Sequence, residues 1–319
     1  MNKSVIGFFF SCLFLSGSLL AFTKADLDKA KALNDVDVEL RKTLTEVSSK
    51  KTNGQTLTEE ESILYNKYLN LRGVNLNGAD LTKFNLSGAG LYGVSLTWAN
   101  LKGANLSNVD LRFALLDKAK LINTNLSGAN LSNATLEAAN LQGTNLSNAK
   151  LNRTVLKNAI FAWSNFNGAD LSGVVILKTG VNFKEADFTS AKFIGSDLSG
   201  YDLSQAFFPS ANFNKAKLVD SNLSGSDLTQ VNFSDSDLSG ANFAGDKTKL
   251  INANFTKANL KNAKFNDADL SYAKFEQADL KDTDLTDAKL YGADFKNAKN
   301  MSTEQKVVAK KQYAINIPE

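Results

Sequence analysis

Residues 126–150 read LSGAN-LSNAT-LEAAN-LQGTN-LSNAK, five units of five residues, each opening on Leu. The register extends both ways. From Leu76 to Leu171 every fifth residue is Leu or Phe, twenty centres without a miss. Two residues before each centre stands a small side chain, usually Ala and sometimes Val, Thr or Ser, as at Ala79, Ala99, Ala104 and Ala129. Between them lies Asn, Asp or Lys, and Gly or Asn often follows two residues after the centre.

A period of five matches neither a helix, which repeats its face every 3.6 residues, nor a strand, which repeats every 2. Recurrent Gly and Asn also argue against continuous helix. A chain that turns a corner every five residues satisfies the pattern. Leu and the small residue point inward and the intervening residues outward. Four sides close a coil of twenty residues, and stacked coils pair backbone groups at about 4.8 Å. Gly and Asn suit the corners because both tolerate turn dihedrals.

The unit A-[N/D]-L-x-[G/N], as in Ala129-Asn130-Leu131-Ser132-Asn133, resembles the pentapeptide repeat proteins. The resemblance implies an all-β solenoid, a right-handed four-sided parallel β-helix. Phe84 and Tyr201 depart from it, being large for the small inward position. Those coils are expected to bulge or to let the ring escape outward.

Two interruptions divide the repeats. One lies in Gly173–Gly180 and the next clear centre is Phe183; the other is Ala244–Lys249, before Leu250. Each adds two residues and inward phase then resumes, as a corner bulge or short loop would allow. The three phases give about eleven coils and a rod of roughly 50 Å. The expected organisation is a signal peptide at 1–21, a helical N-terminal cap at 22–70, the solenoid at 71–300 and a helical C-terminal cap and tail at 301–319.

The N-terminus carries Lys3 and then an apolar run from Val5 to Leu20, the pattern of an export signal. Cys12, the single cysteine of the chain, lies in this run, so no disulfide within the chain can form. Leu33, Val36, Leu40, Leu44 and Val47 share one face of a first helix, and Thr58 with Glu61 forms a capping box for a second. These helices are expected to cover the exposed inward Leu and unpaired edge of an open solenoid end. Recruitment of a partner or dimerisation is the functional alternative. Ser302 with Gln305 makes another capping box, and Val307, Val308 and Tyr313 are expected to close the far end.

Stacking at a spacing of twenty tests the four-sided arrangement. Asn85, Asn105, Asn125, Asn145 and Asn165 fall on one outer column. Phe193, Phe213 and Phe233 form one inner column, and Phe255, Phe275 and Phe295 another. Charges alternate along outer columns, as in Lys249, Asp269, Lys289 and in Asp197, Lys217, Asp237, and Lys274 sits over Asp294.

No catalytic, cofactor-binding or metal site emerges. The chain has no His, which excludes Ser-His-Asp and Cys-His arrangements. Asp279, Asp282 and Asp284 are carboxylates on an outer surface beside Lys281, not in a cleft that would shift their pKa. Net charge is +3 over 319 residues, and residues 71–177, 178–245 and 246–300 each carry little. That balance, with the export signal, argues against nucleic acid as partner and against the DNA-mimicking topoisomerase protection known in the family. Trp98, Phe113, Trp163, Tyr272 and Tyr291 are expected outward or at corners, scattered, with the two tryptophans on different sides. The reading is an exported, non-enzymatic scaffold, periplasmic or secreted in a bacterium, that binds a protein partner. A module that binds or modifies envelope polysaccharide and a secreted effector are the alternatives. No membrane span is expected after signal cleavage, and a homodimer through the terminal helices is left open.

Overall fold

The computed structural model describes residues 70–174 and 181–319, with Asp28, Thr56 and Thr58 besides. The expected signal peptide, both N-terminal helices and residues 175–180 of the first interruption lie outside these.

The rod is built by one hydrogen-bonding rule repeated along the chain, and residues 126–130 show it. Leu126 N–H donates to Asn145 in the next coil (2.7 Å), Gly128 N–H to Ser147 (2.8 Å), and Asn130 N–H back to Val109 (2.9 Å). Ala129 N–H closes the corner onto the Leu126 carbonyl (3.0 Å). The fifth donor, Ser127 N–H, has no backbone acceptor and is taken by the Asn125 side-chain Oδ1 (3.1 Å). That is the physical reason for Asn or Asp before so many of the centres: it satisfies the one amide the ladder leaves over. Asp80 serves Thr82 in the same way (3.1 Å), and Asp269 serves Ser271 (3.0 Å).

At each corner the residue two after the centre adopts positive φ while the one before it does not. With the hydrogen bond that closes the turn, this is the signature of a type II turn. Gly and Asn fill many of these positions, but Trp98, Phe113, Trp163 and Tyr272 also occupy them, at φ of 64°, 59°, 58° and 61°.

Parallel bridges join residues twenty apart, beginning with Asn70 and Gly90, one unit before the uninterrupted run counted from Leu76. Leu86, Leu106 and Leu126, at twenty-residue spacing, are all fully buried. Four inner columns result, named here by their first members, Leu71, Leu76, Leu81 and Leu86. Across each interruption the spacing is twenty-two, as in Ile160 to Asn182 and Asn232 to Asn254, and beyond it returns to twenty. This corrects one expectation. Phe193, Phe213, Phe233, Phe255, Phe275 and Phe295 form a single column, because the two extra residues at 244–249 shift the register by two. Rings in it stack at 4.7–5.4 Å. Neighbouring columns add edge-on contacts such as Phe213 with Phe208 (5.4 Å). Such pairs contribute about 0.5–1.5 kcal/mol beyond the area they bury.

Inward hydroxyls are satisfied too. Thr124, Thr144 and Ser164 donate to the carbonyls of Leu101, Leu121 and Leu141 in the preceding coil at 2.7–2.8 Å. The expectation for Tyr201 is overturned. Its residue is only 8% exposed, and its N–H and C=O keep the regular pattern with Leu198 and Asn222. Phe84 packs partly buried against the core, with its backbone in register as well.

The second interruption is a compact turn. Thr248 N–H bonds the Gly245 carbonyl (3.0 Å), and Gly245 stands at φ 110°. The Thr248 hydroxyl oxygen accepts from Gly225 N–H (2.7 Å), supplying the acceptor that the displaced rung would have provided. Asp246, Lys247 and Lys249 project into solvent.

Helix α1, Thr303–Lys311, closes the C-terminal end. Its capping box forms as the sequence predicts, with Ser302 and Gln305 bonding each other's backbone N–H. Of the three expected closing residues, Val308 packs against the core and the other two do not. Val307 is 45% and Tyr313 75% exposed, whereas Ala309 is fully buried and Met301, Val308, Ala314 and Ile317 pack against the core. Gln305 also donates to the carbonyls of Leu280 (3.0 Å), which already accepts from Thr283 N–H, and of Thr283 (2.7 Å), an acceptor the last coil leaves open. After the helix, Ile315 adds one more rung, bridged to Asp294.

Candidate interaction surface

The core is filled from Leu71 to Ala309, so chemistry and binding are left to the outside. The outer columns behave as their residues dictate. Asn105, Asn125 and Asn145 each donate Nδ2 to the Asn one coil earlier, at 3.1, 3.3 and 3.4 Å, which makes the Asn ladder real. Asn232 and Asn254 extend a second such ladder from Asn212.

Charged columns alternate as read, with Lys249 bridged to Asp269 and Asp269 to Lys289. Direct ion pairs form on other partners: Lys249 reaches back to Asp227 (3.4 Å) and Lys261 meets Asp279 (3.2 Å). Burial pushes the Asp227 carboxyl up, but the Thr229 hydroxyl and N–H and Lys249 outweigh it and hold the group below its ordinary range. For Asp279 burial is outweighed by Asn300, Lys281 N–H and Lys261, again in the lowered direction. Both stay ionised at neutral pH, as structural acceptors rather than proton donors. Asp282 and Asp284 are exposed. Among the described residues no cluster of carboxylates could hold a metal ion. A shallow open groove of about 540 Å³ is lined by Asn133, Asn152, Arg153, Ser172 and Gly173.

The aromatics stand outward as expected, from 49% exposed at Phe113 to 61% at Trp98, but they are less scattered than their spacing suggests. Tyr272, Tyr291 and Tyr313 come together near the C-terminal end, with ring centroids 5.5 and 6.4 Å apart. Tyr92 packs against Phe113 (5.3 Å) and lies between the guanidinium groups of Arg72 (4.6 Å) and Arg112 (5.5 Å). Asp110 holds Arg112 by two bonds of 2.7 and 2.8 Å. Lys118 lies over Trp98 (4.5 Å), and Trp163 donates Nε1–H to Glu185 (2.9 Å). The two tryptophans do not stand on unrelated sides. They occupy the two corners that bound the Leu81 face, three rungs apart along it.

The repeating corner, the five-residue rule and the stacked columns are those of one family. Models of pentapeptide repeats match residues 70–173 and 246–299, and a related pentapeptide repeat region matches 176–243. This chain belongs to the pentapeptide repeat family. Among solved structures it is similar to HetL of the cyanobacterium Nostoc, a pentapeptide repeat protein involved in heterocyst differentiation regulation. Identity there is 26%, over 76% of this chain and 97% of that one, with a TM-score of 0.28. A pentapeptide repeat protein of the Arabidopsis thaliana thylakoid lumen is 29% identical over 39% of this chain and 74% of its own, TM-score 0.21. Full-length QnrB1, a plasmid-mediated fluoroquinolone resistance protein, is 16% identical over 75% and 96%, TM-score 0.25. No curated protein matches the chain.

Proposed function

We propose that this protein is an exported, non-enzymatic scaffold of a bacterial envelope or secretome, which presents its outer faces to a protein partner. The observation that carries the reading is the filled interior. Leu and Phe at close to zero exposure occupy the inner columns, and Gln305 and Ala309 close the last coil. Such a rod offers length, rigidity and side-chain columns at fixed spacing, but no enclosed site in which a pKa could be shifted for catalysis. Among the described residues no helix is long and apolar enough to cross a membrane.

Export rests on Lys3 and the apolar run from Val5 to Leu20. Compartment fractionation of natively expressed protein, followed by crosslinking and mass spectrometry, tests both parts. The expected result is a processed chain outside the cytoplasm, crosslinked through outer-column residues to a protein. A cytoplasmic, unprocessed chain would overturn export, and hydrolysis of an envelope polymer by the purified protein would overturn the non-enzymatic reading. One observation keeps polysaccharide binding as a second reading: the exposed Tyr272–Tyr291–Tyr313 cluster is an aromatic surface of the kind that stacks on sugar rings. A glycan array with the Tyr291→Ala and Tyr313→Ala variants separates the two, since a scaffold should leave the array blank.

A further inference from the structure

Charge is segregated along one face of the rod and not along the others. The Leu81 face, with the corner positions that bound it, carries Lys83, Lys102, Lys118 and Lys120 against Asp80 alone in its N-terminal part. All four lysines are exposed, and none forms an ion pair among the described residues. Past residue 200 the same columns carry Asp202, Asp220, Asp267, Asp282, Asp284 and Asp287 against Lys264, with the Asp246–Lys247 turn contributing one of each sign. The Leu86 face is uncharged over its Asn ladder and alternates beyond it. The Leu71 and Leu76 faces mix signs throughout.

We infer that a second copy of this chain docks on the Leu81 face, antiparallel, each basic half lying on the other's acidic half. A two-fold axis across the middle of the face makes such a contact self-complementary and closed. It keeps each corner against the same corner of the partner. Lys83 therefore comes to the level of Asp287, Lys102 to that of Asp267, and Lys118 lies toward Asp220 and Asp282. Like charges oppose at the two ends, where Asp80 meets Asp284 beside Lys83, and on the axis, where Lys184 and Glu185 meet their own copies and lie beside each other's opposite charge; Lys120 opposes Asn242, one rung from Lys264. The face is about 50 Å long and about 16 Å wide, so roughly 800 Å² is covered per partner, the size of a standard interface. Ile160 and Trp163, on the rung next to the axis, supply exposed apolar surface to its middle. The charge pattern sets orientation and rejects a parallel pairing, which would place lysines on lysines. This docking does not depend on what else the rod binds or where the protein resides.

Sedimentation velocity on the purified protein at about 20 mM and about 500 mM salt tests it. The expected result is a dimer at low salt whose dissociation constant rises on the order of tenfold or more at high salt. Two exposed triple variants give the decisive arm. Lys83→Glu with Lys102→Glu and Lys118→Glu should be monomeric, as should Asp267→Lys with Asp282→Lys and Asp287→Lys. A mixture of the two should sediment as a heterodimer. All six positions are solvent-facing corner residues, and circular dichroism checks that both variants keep the wild-type fold. Monomeric wild-type protein at low salt, a dimer indifferent to either variant, or two variants that fail to pair would each overturn the proposal.

Discussion

At the scale of single residues, the outer surface contains side chains whose worth follows from one neighbour. Thr135 stacks between Leu115 and Val155 on the outer Leu76 face, and its hydroxyl oxygen is buried with no hydrogen-bond partner. A buried unpaired hydroxyl costs about 1–3 kcal/mol. Thr135→Val replaces it with the residue that already stands one rung on, so thermal unfolding should show a gain of about 1 kcal/mol. Gly292 is the opposite case. Its φ is +66°, and a Cβ there would lie 2.7 Å from Cδ1 of Tyr272. Gly78 has nearly the same φ and nothing within 4 Å of its would-be Cβ. Left-handed backbone alone costs a side chain about 1–2 kcal/mol. Gly78→Ala should lose about that much, while Gly292→Ala should lose more and displace the Tyr272 ring, visible as a change in tyrosine fluorescence.

At the scale of elements, the repeat and the caps were legible to different degrees. Leu at every fifth position and Ala two before it specify the coil, because only a corner every five residues buries both. The role of Asn and Asp before many of the centres is less visible in sequence. It depends on knowing which amide the ladder leaves unpaired, and that is a property of the turn rather than of composition. The C-terminal cap shows the same limit. Ser302 and Gln305 announce where α1 begins, but not which side of it faces the coil, so Val307 and Tyr313 read as closing residues when Ala309 and Gln305 do the closing. Gln305 holds both the capping box and two end carbonyls. Gln305→Ala should destabilise the last coil by about 2–3 kcal/mol, counting a lost cap and the Thr283 carbonyl left unsatisfied. Hydrogen exchange should show it first at Leu280 to Leu290.

At the scale of the whole molecule, the candidate surface was hidden by averaging. Summed over stretches of sequence, charge is mild everywhere. It resolves into a basic and an acidic half only when columns are followed through the two register shifts. The same columns govern stability. Each coil touches only its neighbours, so the rod is a chain of nearest-neighbour interfaces rather than one globular core. The core is also uneven along its length: the early coils hold Leu in all four columns, and from Phe161 onward Phe enters three of them, leaving the Leu76 column aliphatic. Phe233 stacks on Phe213 at 5.1 Å and on Phe255 at 5.4 Å, so it ties the coils on either side of the 244–249 turn. Truncating a buried Phe costs about 3–5 kcal/mol. In a compact domain that loss would be shared by every amide through a single cooperative transition. Here Phe233→Ala should lower protection over roughly residues 208–260, where the stack is broken, and leave amides around Leu106 and Leu126 at their wild-type rates. Hydrogen exchange with mass spectrometry reads both regions in one experiment. Equal loss across the rod would mean that it unfolds as a unit and that coupling along the columns reaches well past the adjoining coil.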